Sequence, residues 1–173
     1  MKKKMLILAL ALSSAVWAGD YEDGEAAYDA GNYAKAVSKF EKAAEQGDAG
    51  AQTNLGLMYL TGEGVEQDNA EAVRWFTKAA EQGDVEAQYY LGVMYDEGEG
   101  VEQNDAEAAR WYTKAAEQGN AGAQTNLGLM YLTGEGVEQD NAEAVRWFTK
   151  AADQGYAGAQ LVLEMIAEGA KHP

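Results

Sequence analysis

The segment GEGVEQD at Gly62–Asp68 sets Glu63, Glu66 and Asp68 in a glycine-punctuated stretch, and clustered oxygen ligands of this kind hold calcium or magnesium. The spacing departs from the EF-hand pattern, however, and Asp68 stands where a helix needs a cap. Gly62 and Gly64 serve as bends, with Val65 as an anchor turned inward, so the segment reads as a spacer. Nucleophilic chemistry has little to work with. There is no cysteine, so neither a Cys–His pair nor a thiolate zinc site can form. Ser38 is the only serine beyond the first 18 residues; it lies beside Lys39 with no serine-base motif around it. The single histidine, His172, is next to the C-terminus. Trp75, Trp111 and Trp147 offer surfaces on which sugars or bases stack, yet they recur once per period beside an apolar stripe, which is the pattern of packing. The chain therefore reads as non-enzymatic, without a cofactor or a resident metal.

Those residues sit in a text that repeats. Gly56–Ala80 returns letter for letter at Gly128–Ala152, and the underlying period is 36 residues. Ala51-Gln52, Ala87-Gln88, Ala123-Gln124 and Ala159-Gln160 open successive copies. Leu55-Gly56, Tyr59, Val65 and Trp75 recur in step, and KAAEQG or KAADQG closes each copy at Gly83, Gly119 and Gly155. A period of this length marks stacked supersecondary units. Each copy reads as two helices. The first runs from about Ala51 to Thr61, stopped by Gly62. The second begins at Asp68, with Glu71 completing a capping box, buries Ala72, Val73, Phe76, Ala79 and Ala80 with Trp75 at the flank, and ends at Gly83. Gly56, Gly92 and Gly128 fall mid-helix, where glycine costs about 1 kcal/mol against alanine, so they imply close packing. One hairpin cannot bury its own apolar face, and stacking copies makes a continuous core.

Residues 1–18 read as a secretory leader: Lys2, Lys3 and Lys4, a short apolar run, then Val16 and Ala18 before a cleavage point near Ala18. The run is shorter than a membrane span requires. The expected location is periplasmic or secreted from a bacterium, with no membrane insertion after cleavage. The chain carries 13 Lys and Arg against 29 Asp and Glu, a formal charge of −16, and without the three leading lysines −19. Such a surface repels nucleic acid and anionic lipid.

The frame AQ…LG..Y..G.GV..D...A..W..KAA.QG at Ala51–Gly83, Ala87–Gly119 and Ala123–Gly155 resembles the Sel-one-like repeat (SLR) family, longer-looped relatives of tetratricopeptide repeats. The resemblance implies an all-α, right-handed superhelical solenoid of antiparallel helix pairs, with full copies at 51–86, 87–122 and 123–158. Upstream, residues 20–50 resemble an ordinary tetratricopeptide unit through Gly24, Gly31, Tyr33, Ala36, Phe40 and Ala43. They lack the five-residue loop segment Glu63–Gln67 and carry Lys39 in place of the tryptophan. Downstream, 159–170 supplies a single capping helix, on which Met165 and Ile166 are apolar.

By the same resemblance, the expected role is a scaffold or adaptor whose concave groove holds a protein or peptide segment, the partner being an envelope enzyme or a surface protein and the chain a monomer. Counting from the mid-helix glycines, the groove positions are Tyr21, Glu25 and Tyr28; Thr53, Leu57 and Leu60; Tyr89, Val93 and Asp96; and Thr125, Leu129 and Leu132. Tyr89-Tyr90 interrupts the Thr-Asn pair of the neighbouring copies, and a break in a repeat is where specificity enters. The alternatives are a cell-wall-fragment or β-lactam binder with at most weak hydrolase activity, as linked to cysteine-rich relatives whose cysteines this chain lacks, and a diffuse sink for divalent ions.

Overall fold

A computed structural model describes residues 19–169; the expected leader, His172 and Pro173 lie outside them. Among the described residues the fold is all-α, with no strand. Helix α1 covers residues 19–29, followed by α2 (Tyr33–Glu45), α3 (Ala49–Thr61), α4 (Asn69–Glu81), α5 (Val85–Glu97), α6 (Asp105–Glu117), α7 (Ala121–Thr133), α8 (Asn141–Asp153) and α9 (Ala157–Gly169). The helices gather into two compact units, the first ending at Asp84 and the second beginning at Val85. In the first, α3 packs on α2 and α4; in the second, α7 packs on α6 and α8, and α9 closes against α8.

The helices begin and end for identifiable reasons. Asp68 Oδ1 accepts from the amides of Ala70 and Glu71 at 2.9 and 3.1 Å, and Asp140 does the same for Ala142 and Glu143. The reciprocal half of the expected capping box does not form. The Asp68 amide donates instead to the Tyr59 carbonyl at 2.9 Å, an otherwise orphaned group in the last turn of α3. The Glu71 carboxylate turns to Arg74, 2.6 Å away. Helix α3 starts two residues earlier than its apolar spacing suggests, because Asp48 caps it through the Ala51 amide at 2.8 Å. It stops at Gly62, whose left-handed φ of 76° lets its amide return to Met58. The connection that follows is a bend held inward. Val65 is half-buried against the core, and a side chain on Gly64 would collide with the Tyr33 backbone. The turn between α1 and α2 spans residues 30–32 against 62–68, so it is four residues shorter rather than five.

The mid-helix glycines have the packing reason their cost demanded. A Cβ on Gly24 would lie 2.6 Å from the Phe40 ring, on Gly56 2.7 Å from Phe76, on Gly92 2.6 Å from Tyr112 and on Gly128 2.9 Å from Phe148. Each pair brings a first helix onto an aromatic of the second at a separation no other residue permits. The tryptophans belong to the core and not its flank: Trp75, Trp111 and Trp147 are only 6, 3 and 5% exposed. Each ring is covered by two cations, Arg74 at 4.5 Å and Lys78 at 4.0 Å in the case of Trp75, so its faces are taken by the protein itself. Where Lys39 replaces tryptophan, its ammonium instead bridges Asp20 and Asp23 on α1, at 2.7 Å from each.

Candidate functional site

The expected groove positions divide into residues that gather at clefts and residues that serve packing. In the first unit, Glu25, Tyr28 and Leu57 come together around a cleft of about 410 Å3. Asp29, Asn54, Met58, Thr61 and Glu63, none of them expected there, complete its wall above buried Phe40. The Tyr28 hydroxyl donates to Glu63 Oε2 at 2.7 Å, which raises its pKa. Tyr21 rests on Phe40 with ring centroids 5.9 Å apart and donates to Glu25 Oε1 at 2.9 Å. Burial, then Glu25, pushes the Tyr21 phenol up to about 12. Tyr21 therefore orients a cleft carboxylate and does not line the cleft.

Thr53 and Thr125 correct the face assignment. They are 3 and 8% exposed, turned inward. The Thr125 hydroxyl donates to the Ala121 carbonyl at 2.8 Å, and that of Thr53 lies 3.0 Å from both the Ala49 carbonyl and the Asp84 carboxylate. A short hydroxyl side chain satisfies itself against its own preceding turn and tolerates being covered. Leu60, Leu132 and Val93 are half-buried; Val93 packs on the core of the second unit and Leu132 on the cluster joining α8 and α9. Leu129 stays 41% exposed.

Asp96 has a structural employer. Its Oδ2 accepts from the hydroxyl of fully buried Tyr112 at 3.3 Å. Where the neighbouring copies pair Leu60 with Phe76 and Leu132 with Phe148, this one pairs Asp96 with Tyr112. Burial holds the Tyr112 phenol far above its ordinary range and raises Asp96 above the usual carboxylate value, against the Tyr112 hydrogen bond. Asp96→Leu alone is expected to cost about 1–2 kcal/mol, by stripping an acceptor from a buried hydroxyl. Adding Tyr112→Phe should return most of it. Because the folded state holds the Asp96 proton more tightly than the unfolded chain, this group adds stability as pH falls through its raised pKa. Wild type should therefore gain on the Asp96→Leu/Tyr112→Phe variant between neutral pH and the ordinary carboxylate range. Urea melts of both proteins across that range check the sign.

In the second unit, Tyr89 is an expected position that reaches a cleft. This cleft, about 420 Å3, is also lined by Val85, Glu86, Tyr90, Asn120 and Tyr156. Tyr89 meets Tyr90 edge-on at 5.5 Å and lies over Tyr112 at 6.2 Å. Gly122 admits the ring, since a Cβ there would stand 3.1 Å from it. Tyr156 went unnoticed in the sequence. The available signal was its place at the head of α9, where α3 and α7 have the caps Asp48 and Asn120; a tyrosine there gives up about 1 kcal/mol of capping. In GEGVEQD, Glu63 and Asp68 are engaged as described, by Tyr28 and by the α4 amides. No described helix is long and apolar enough to cross a membrane.

The Sel1 repeat model matches residues 13–48, 49–84, 85–120 and 121–156. Among solved structures, the chain is similar to a protective antigen of uropathogenic Escherichia coli with an SLR fold (42% identity, TM-score 0.80, over 88% of this chain and 33% of that one). It is also similar to a Sel1 repeat protein from Oxalobacter formigenes (37% identity, TM-score 0.77, over 80% of this chain and 57% of that one). A stretch of 45 residues is 47% identical to HcpE of Helicobacter pylori, whose name places it provisionally among β-lactamases; the match covers 26% of this chain and 13% of HcpE. The chain thus spans between 13 and 57% of the length of these relatives.

Proposed function

As the chain belongs to the Sel1 repeat family, whose members are typically non-enzymatic protein-interaction scaffolds, we propose that it is an exported adaptor. It holds a protein or peptide segment against its first helices, in the bacterial envelope or outside the cell. The observation that carries this reading is the cleft where Glu25, Tyr28 and Leu57 meet. Aromatic and aliphatic surface rimmed by carboxylates suits a side chain of a folded or extended partner. The basic start and short apolar run of residues 1–18 support export. The partner would be an envelope enzyme or a surface protein, bound by a monomer. The name of HcpE favours a second reading, a β-lactam or cell-wall-fragment binder, and the shortness of that match weighs against it.

A crosslinking capture from the native envelope tests the first reading, with wild type beside a Tyr28→Ala/Leu57→Ser variant. Both residues are at least partly exposed, so helicity should be kept. One protein held by wild type and reduced roughly tenfold in the variant is the expected result. Equal capture by both forms, or turnover of a chromogenic β-lactam by the purified protein, would overturn it.

A further inference from the structure

We propose that the tyrosine cleft of the second unit recognises a basic peptide segment, taking an arginine side chain against the faces of Tyr89, Tyr90 and Tyr156 with its charge toward Glu86. This rests on the scaffold reading above and names the partner chemistry for one cleft.

The first argument is where the repeat breaks. Helices α3 and α7 open as AGAQTN, whereas α5 opens as VEAQYY and α9 is preceded by Tyr156 instead of Asp or Asn. These departures, Val85, Glu86, Tyr89, Tyr90 and Tyr156, converge on a single cleft although Tyr156 is far along the chain from the others. A departure made for packing looks different. Tyr112 and Asp96 change together and one satisfies the other in the interior. The cleft departures stay at the surface, with Tyr156 43% exposed and Tyr89 and Tyr90 half-buried. Tyr156 forfeits a helix cap for its place there.

The second argument is charge. Tyrosine rings give large, rigid contact area at low entropic cost and present electron-rich faces to cations. The lining contains one carboxylate, Glu86, and no lysine or arginine. Burial first, and then the neighbouring groups, raise the Tyr89 and Tyr90 phenols, with Glu97 among the neighbours of Tyr89 and Glu86 that of Tyr90. The chain as a whole stands at −16. The protein already stacks its own cations on aromatics, Arg110 over Trp111 at 4.3 Å among them. A neutral glycan would also lie on tyrosine faces and donate its hydroxyls to Glu86, but it would draw no cation–carboxylate attraction from it, which is what the citrulline comparison isolates.

The test uses the full chain in calorimetric titrations. The probes are a synthetic peptide of alternating glycine and arginine, the same peptide with citrulline for arginine, and a chitin oligosaccharide. The variant Tyr89→Thr/Tyr90→Asn/Tyr156→Asn puts back residues this protein carries at the matching positions, so it should fold; a urea melt checks that. Glu86→Gln, exposed, gives a second variant independent of the rings. Arginine peptide should bind wild type, about tenfold more weakly to the triple variant and roughly threefold more weakly to Glu86→Gln. Citrulline peptide should bind wild type at least about tenfold more weakly than arginine peptide. No binding of the arginine peptide, or binding unchanged in both variants, overturns the site. Equal binding of both peptides removes the cation while leaving a peptide scaffold standing. Preference for the oligosaccharide overturns this inference, while the scaffold reading stands or falls by the envelope capture at the first unit's cleft.

Discussion

Phe148→Ala is expected to cost about 3–5 kcal/mol, the range for deleting a fully buried aromatic. Phe148 is 0% exposed and belongs to the α8 cluster with Ala144, Ala151 and Ala159. Its ring occupies the space that Gly128 leaves on α7. That contact makes a sharper expectation about a second variant. On an open helix Gly→Ala gains about 1 kcal/mol from propensity. At Gly128 the added methyl would stand 2.9 Å from the Phe148 ring, and overpacking of that kind costs about 1–3 kcal/mol. Gly128→Ala alone should therefore destabilise. In the Phe148→Ala background the ring is gone, the methyl enters the cavity, and the same substitution should stabilise by about 1 kcal/mol. Urea midpoints of the four proteins give the cycle. If Gly128→Ala has the same sign in both backgrounds, the glycine is not there for the ring.

The glycine positions were readable because their expense recurs. A residue that costs helix stability at Gly56, Gly92 and Gly128 needs a reason, and periodicity shows the cost three times over. The helix pairs and the stop at Gly62 were readable on the same grounds, from local chemistry repeated in register. Depth was not readable. Counting positions around α3 puts Thr53 on the same face as Leu57, but how far neighbouring elements close over each residue depends on tertiary packing. Thr53 is therefore covered while Leu57 reaches a cleft. The start of α3 was missed because Asp48 sits in QGDAG, which reads as linker until its carboxylate is seen on the Ala51 amide. The tyrosine cleft was half readable. Tyr89-Tyr90 stood out against Thr-Asn, whereas Tyr156 replaces a cap, and only the fold brings it to the same place.

The recurring Ala-Gln and Gln-Gly pairs hold a further pairing that a period cannot show, since both glutamines recur at the same interval. Gln124 is 4% exposed. Its Nε2 donates to the Ala116 carbonyl at the end of α6, at 3.0 Å, and its Oε1 accepts from Gln154 just past α8, at 2.8 Å. Gln52 does the same with Ala44 and Gln82 in the first unit. Helix C-termini leave carbonyls without intrahelical donors, and an amide side chain is a donor and an acceptor at once. One glutamine thus ties the ends of three helices where an apolar residue could only fill space. Gln124→Ala should cost about 2–3 kcal/mol, from the lost buried hydrogen bonds and the space left behind. Gln124→Leu restores the volume but not the donor and should remain costly, by at least about 1 kcal/mol. Gln160, at the equivalent position of α9, is exposed and lies 3.3 Å from the Ala152 carbonyl, so Gln160→Ala should cost under about 0.5 kcal/mol. Urea melts rank the three. A neutral Gln124→Leu would mean that this position needs bulk alone, and that the glutamine pairing follows from the fold without holding it.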